Sequence, residues 1–500
     1  MFHPLNLLAI VGYLFIIAVI GLVAGRNEKN TDDYFLGGRK IPWLAVCLSI
    51  LATECSAVTF IGAPAISFAA GGNYTYIQLA IGSLIGRILI AYLLLIPFYK
   101  YKVTTVYEFL RIRFSRGSQI TGAIFFFITR LLASGVRLFV ASLAIHVVFG
   151  VPLFAAIVLS AGIASAYTLW GGIKAVIWTD VVQIIIFMGG ATFTVYLLYV
   201  YSGGFETIRQ VAGSAGKFSV FDMSFDITQP FTLLTGIIGG CFLTFASLGT
   251  DQDLTQRMLT CRDTKLAQKA LIWTGIIDFP VVFVFLTIGV LLYVFYTVYP
   301  DPSLPANKDH LFPYFILTQL PPGLSGLLIV GVFAAAMSSL DSALNALASS
   351  AICDIYKPYI STGREESHYL MVSRVMVVFF AVALVGIAYM CKNLGMVLVL
   401  AFKITSFTYG ALMGVFLIGV LTKRGSTFGN LIAMCSSIPV VFMVTLTSIA
   451  WPYYIVAGTL WTFAVGTMFS PSMTLRRFST AMKNFNFLQD TSDDLIHSDK

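Results

Sequence analysis

Gly331-Val332-Phe333-Ala334-Ala335-Ala336-Met337-Ser338-Ser339-Leu340-Asp341-Ser342-Ala343-Leu344-Asn345 is an apolar run that carries a stripe of oxygens. Residues three and four apart share a helix face, so Ser338, Asp341, Ser342, Asn345 and Ser349 line up on one side. Small serines and alanines also let membrane helices pack closely, with the hydroxyls returned to backbone carbonyls. Packing alone leaves Asp341 unexplained. A carboxylate in a lipid-crossing helix costs about 2.5 to 3.5 kcal/mol on insertion scales, so such a residue faces a bundle interior and marks an ion or solute path.

The surroundings have the composition of a bilayer protein. Of 500 residues, 58% are hydrophobic and 11% charged, where soluble domains have nearer a quarter charged. The pattern predicts an all-α polytopic membrane protein with about thirteen spans, at 5–25, 42–70, 76–99, 119–149, 151–170, 175–200, 231–250, 268–298, 325–352, 370–391, 395–420, 429–449 and 452–470. The first has the length of a full span and no basic residue before it, so it reads as a retained helix rather than a signal peptide.

The net charge of +8 follows topology and is no nucleic-acid signal. Lys and Arg gather in alternate loops, among them Arg26, Lys29, Arg39 and Lys40, then Lys100 to Arg116, then Arg257 to Lys269, then the tail. The positive-inside rule places the N-terminus outside and the C-terminus in the cytoplasm, as an odd helix count demands. The setting predicted is a cell membrane, with lipid as a partner. The seven cysteines form no CxxC motif and read as free thiols. The five histidines are scattered, with no HExxH or GxSxG signature, which argues against an enzyme. Polar groups concentrated at interrupted helices, rather than ringed along a pore, argue against a channel. A solute sensor without transport remains open at this level.

The second predicted span is too long for one crossing and is interrupted at Thr53-Glu54-Cys55-Ser56, with Thr59 beyond. A discontinuous helix at mid-membrane exposes carbonyls and a helix end, a common way of building ion sites in transporters. The seventh ends in Ser247-Leu248-Gly249-Thr250-Asp251-Gln252-Asp253, a second polar interruption five spans later, which hints at an inverted repeat. Arg130, Ser134 and Arg137 share a face of the fourth span; they suit anion contact, pairing with Glu54, or snorkelling. Asp180 suits either a helix start or an ion site. Gln78 opens the third span and Lys403 is a charge within the eleventh. The proline-rich outer loop 299–324 reads as irregular, and the polar tail beyond Pro471 as mostly disordered.

These pieces resemble the sodium:solute symporter family: Asp33-Tyr34-Phe35-Leu36-Gly37-Gly38-Arg39, Trp170-Gly171-Gly172 through Trp178-Thr179-Asp180-Val181-Val182-Gln183, Asp251-Gln252 with Gln256-Arg257, and Ala336 to Asn345 closing at Asp354-Ile355-Tyr356-Lys357. The resemblance implies a LeuT-like core of two inverted five-helix repeats, 42–200 and 201–420. A first helix and inner loop (1–41) precede it; two accessory helices (421–470) and a cytoplasmic tail (471–500) follow.

It implies one or two sodium ions. The principal site would use the carbonyls of Ala52, Cys55 and Ala335 and the hydroxyls of Ser338 and Ser339; a second would use Asp180, Ser339, Asp341 and Ser342. Asp341 departs from the serine or threonine common at that position. Matching solute contacts are Glu54, Ser56, Thr59 and Gln78. Sialic acid carriers of the family present an arginine where this chain has Ala133, with Arg130 and Arg137 a turn either side. Glu54 would repel a carboxylate unless paired with Arg137 or Lys403. The function implied is alternating-access symport of a small polar organic solute, an anionic one such as sialic acid or a monocarboxylate among the candidates and a neutral sugar or polyol as the alternative.

Overall fold

The computed structural model describes residues 3–24, 28–55, 57–393 and 397–469, and among them the regular structure is helical, with no strand. Labelled in chain order, the principal helices are α1 (Pro4–Ala24), α2 (Trp43–Glu54), α3 (Ala57–Phe68), α4 (Gln78–Leu93), α5 (Arg116–Phe149), α6 (Leu153–Tyr201) and α7 (Leu233–Gly249). They continue as α8 (Gln252–Leu259), α9 (Thr264–Val298), α10 (Leu324–Ser350), α11 (Glu366–Met390), α12 (Val397–Leu421), α13 (Thr427–Thr445) and α14 (Pro452–Met468).

By length and composition, eight helical segments among the described residues can cross a membrane, or ten if each of two bent pairs is one span. A count of thirteen does not follow from those criteria. The expected second span is divided, α2 ending where Cys55 leaves helical geometry at φ −74°, ψ 64° and α3 starting at Ala57. The segment Thr31–Arg39 enters α2 through a bend of 110°. After Gly249 the chain bends by 67° into α8, whose first turn is capped by Asp251 accepting from Asp253 N at 3.0 Å.

Two expected spans, 151–170 and 175–200, run together as the 49 residues of α6 and are separated by a kink at Gly172, φ 50° and ψ −147°. That conformation is open to glycine, and a Cβ there would strike the Tyr34 carbonyl. Close helix approach has the same origin on α4 and α7. Gly82, Gly86, Gly236 and Gly240 bring the two backbones together, so side chains at any of them would meet main-chain atoms. The outer loop 299–324 is not wholly irregular: Leu311–Thr318 is a helix, with Pro313 in its first turn where no N–H is required. The tail beyond Pro471 lies outside the described residues. All seven cysteines are free.

The helix α10 sits at the centre. It packs on α6, α5, α1 and α11, and its polar stripe is wholly buried, with Ser338, Asp341 and Asn345 at 0% exposure. Hydroxyls and carboxylates at that depth need protein partners, because lipid supplies none.

Candidate ion and solute site

The break between α2 and α3 faces α10. Ala52, Cys55 and Ala335 line one small cavity together with Gln183, Ile184 and Phe187, with room for about one water-sized particle. The side-chain amide oxygen of Gln183, Oε1, is buried and has no hydrogen-bond partner among the described residues. Ser339 Oγ donates to Ala335 O at 3.3 Å, and Thr53 Oγ1 lies 3.3 Å from Ser338 Oγ. Ala52, Cys55 and Ala335 of the expected principal ion site thus share one space, while Ser338 and Ser339 follow Ala335 on α10 and do not line it. Neutral carbonyls and hydroxyls suit a hard monovalent cation.

Asp180 lies within the second half of α6, well past Gly172, and is fully buried, so it does not cap a helix. Its Oδ1 accepts from Ser338 Oγ at 2.5 Å; its Oδ2 accepts from Ser49 Oγ at 2.5 Å and from Arg257 Nη2 at 3.1 Å. Arg257 also holds Asp253, and Arg130 bridges Asp253 (2.7 Å) and Asp251, which accepts from Tyr409 at 2.8 Å. This buried chain of alternating charges joins α2, α5, α6, α8, α10 and α12. Each charge is compensated, the condition under which buried ions are tolerated.

Asp341 stands apart from that chain. Its Oδ2 accepts from Tyr167 at 2.6 Å and its Oδ1 from Ser342 N at 2.6 Å, and no cationic side chain among the described residues comes within ion-pair distance. Ser342 Oγ donates to Ser338 O and lies near Asp341 Oδ1 at 3.4 Å. Of the expected second ion set, Asp341, Ser342 and Ser339 share α10, while Asp180 is engaged by Arg257 and Ser338.

The expected solute residues fare unevenly. Glu54 does not pair with Arg137; Arg87 Nη2 donates to its two oxygens at 2.9 and 2.7 Å. The physical reason is proximity: Arg87 projects from α4, buried to 1%, and is also held by Ser83 and, at 3.7 Å, by Asp278. Gln78 is withdrawn into the fold. Its Nε2 donates to Thr75 O and Phe231 O, and its Oε1 accepts from Asp222 N, so the amide ties the outer loop down and leaves no free group for a solute. Thr59 is partly exposed, its hydroxyl 3.4 Å from Glu54 O. Arg130 is committed to its aspartates, whereas Arg137 is half-buried with no hydrogen bond or ion pair to a described residue. Ser56 and the Lys403 side chain lie outside the described residues.

The model of the sodium:solute symporter family matches residues 34–436, more than half of the chain. The chain belongs to the sodium:solute symporter family. This symporter is 29% identical over 450 residues to the human sodium-coupled monocarboxylate transporter 1, a match covering 88% of this chain and 73% of that one. It is 28% identical over 480 residues to the sodium/sialic acid symporter NanT of Aliivibrio fischeri, covering 94% of each. A solved sodium-coupled sialic acid symporter, substrate-bound and outward-open, superposes with a TM-score of 0.85 at 27% identity, covering 95% of this chain and all of that one. The symporter is therefore a multi-pass, LeuT-like secondary transporter that couples a solute to sodium, and is not an enzyme.

Sequence reasoning missed Arg87, which pairs with Glu54 at the helix break, and Asp278 beside it. Both stand inside predicted apolar spans, where an ionisable residue is itself the signal. Gln183 belongs to the motif of the resemblance; its unpaired side-chain oxygen emerges only from the packing of α6 against the helix break.

Proposed function

We propose that the symporter takes up a small organic anion by alternating access, with sodium bound at the break between α2 and α3. The small space lined by Ala52, Cys55, Ala335 and Gln183, whose side-chain oxygen is unpartnered among the described residues, carries this reading. Ser338 and Ser339 complete the ligand set from α10. Because the ligands belong to α2, α6 and α10, an ion between them holds these helices in one arrangement and leaves when they part.

Asp341 is the anchor for a second ion. A buried carboxylate without a cation is costly, and sodium beside Asp341, Ser342, Ser339 and Asp180 would compensate it. One charge moved down about 100 mV contributes roughly 2.3 kcal/mol, and a tenfold sodium gradient roughly 1.4. An anion carried with one sodium loses the electrical part, so two ions suit an anionic cargo.

Two contacts favour an anion over a neutral sugar. Arg87 neutralises Glu54, removing the repulsion expected of it, and Arg137 offers a guanidinium with no carboxylate partner among the described residues. The similarity to carriers of monocarboxylates and sialic acid points the same way. The chain would run with its N-terminus outside through about thirteen crossings to a cytoplasmic C-terminus. Uptake of labelled sialic acid, monocarboxylates, amino acids and sugars into proteoliposomes with an inward sodium gradient tests the cargo. Accumulation of an anion supports this reading; accumulation of a sugar alone replaces it.

A further inference from the structure

A groove of about 90 Å³ lies between α1, α5, α6 and α10, its Tyr13 wall hydrogen-bonded to Gln183 of the ion cavity. Two of its walls do not touch closely. The helices α1 and α5 each pack on α6 and α10 but stand apart from one another, and the groove is the gap left between them. Its lining is apolar: Ile10 from α1, Leu138 and Ala141 from α5, Leu159 and Ile163 from α6, Leu340 from α10.

The polar groups on its wall are already engaged. Ser160 Oγ donates to Ala156 O at 2.8 Å, and Tyr13 accepts from Gln183 Nε2 at 3.0 Å. A buried water needs two to four polar partners, which this space does not offer. The lining residues fall in the middle of their helices, at hydrocarbon depth. The groove opens sideways at Leu159, which is 52% exposed, onto a flank where Val11 and Phe15 of α1 and Val158 of α6 also face outward. The medium at that depth and on that flank is lipid hydrocarbon.

We propose that this groove is a binding site for one acyl chain of a bilayer phospholipid, entering sideways at Leu159 and lying against α10. The chain contributes only methylenes, matching a wall without free hydrogen-bonding groups.

The test uses the full-length symporter in phosphatidylcholine/phosphatidylglycerol nanodiscs doped with a phospholipid spin-labelled in mid-chain. The immobilised component of the spectrum should exceed that of a variant whose groove is filled, Ala141→Phe, and should also fall in Ile163→Trp, which narrows the entrance. Val382→Phe, on the exposed face of α11, serves as control and should leave it unchanged. Size-exclusion profile and circular dichroism identify folded variants, and if Ala141→Phe does not fold, Ile163→Trp carries the comparison. An immobilised component equal in wild type and in the folded groove variants overturns the proposal. So does immobilisation of spin-labelled free fatty acid without phospholipid, which would assign the groove to a different ligand.

Discussion

Arg87, projecting from α4, closes on Glu54 at the end of α2 with both carboxylate oxygens within 2.9 Å of one guanidinium nitrogen. The pair ties the last turn before the helix break to a helix outside it. Removing one partner leaves the other charge buried and alone.

Arg87→Ala should therefore destabilise the symporter by about 3 kcal/mol or more, read as a drop in thermal unfolding temperature in detergent. The double variant Arg87→Met with Glu54→Leu should recover most of that loss, since apolar residues of similar volume remove both desolvation penalties. Equal loss in the single and double variants would show that the pair does not act as a unit.

Arg137→Ala should raise KM for the anionic solute about ten- to a hundredfold, the loss of one charge-assisted contact, with little change in maximal rate. Arg137→Lys should keep part of the affinity, because it keeps the charge without the fork. Unchanged KM in both would place the anion elsewhere.

Much of this arrangement was legible in the sequence. The oxygen stripe on α10, the interruption at Glu54-Cys55 and the polar exit at Gly249 each declared themselves through residue types that lipid does not accept, and each lies where the fold requires it. The partners were less legible. Which arginine meets which carboxylate depends on how helices distant in sequence are seated, so the sequence offers Arg137 and Lys403 as conditional partners for Glu54, whereas Arg87, 33 residues on, takes it. Asp180 and Arg257 are 77 residues apart and meet only after α8 folds back across α2. Gln78 shows the converse: its place at the start of a span suggested a solute contact, and the outer loop, whose path no periodicity encodes, claims both ends of its amide.

Glu28 follows α1 at one end of the bundle, and neither of its oxygens has a hydrogen-bond partner among the described residues. Burial pushes its carboxyl up from 4.5 to about 8, against the opposing pull of Lys174 and Arg374. Between those values the folded state holds a proton that the unfolded chain has shed, so stability is full below pH 4.5 and is lost as pH rises through about 8. The slope from this group cannot exceed about 1.4 kcal/mol per pH unit. Glu28→Gln should flatten the fall in unfolding temperature over that range; a wild-type profile that rises with pH and is unaltered by Glu28→Gln would contradict the assignment.

Lys217, in the segment after α6, donates through Nζ to the carbonyls of Ser67, Phe68 and Ala69, capping the far end of α3. These are orphan acceptors of a helix terminus. Lys217→Met should loosen α3, raising hydrogen exchange of the amides at 65–69 by about tenfold, while exchange in α13 stays as in wild type. Uniform change in both helices would point to global destabilisation instead.

The most direct measurement of the ion site is the sodium dependence of solute uptake into proteoliposomes by wild type and Ser339→Ala. The account predicts sodium-driven accumulation in wild type and, in Ser339→Ala, a half-saturating sodium concentration raised about tenfold or more, with solute binding at saturating sodium retained. Identical sodium dependence in the two proteins would contradict an ion held between the α2 break and α10.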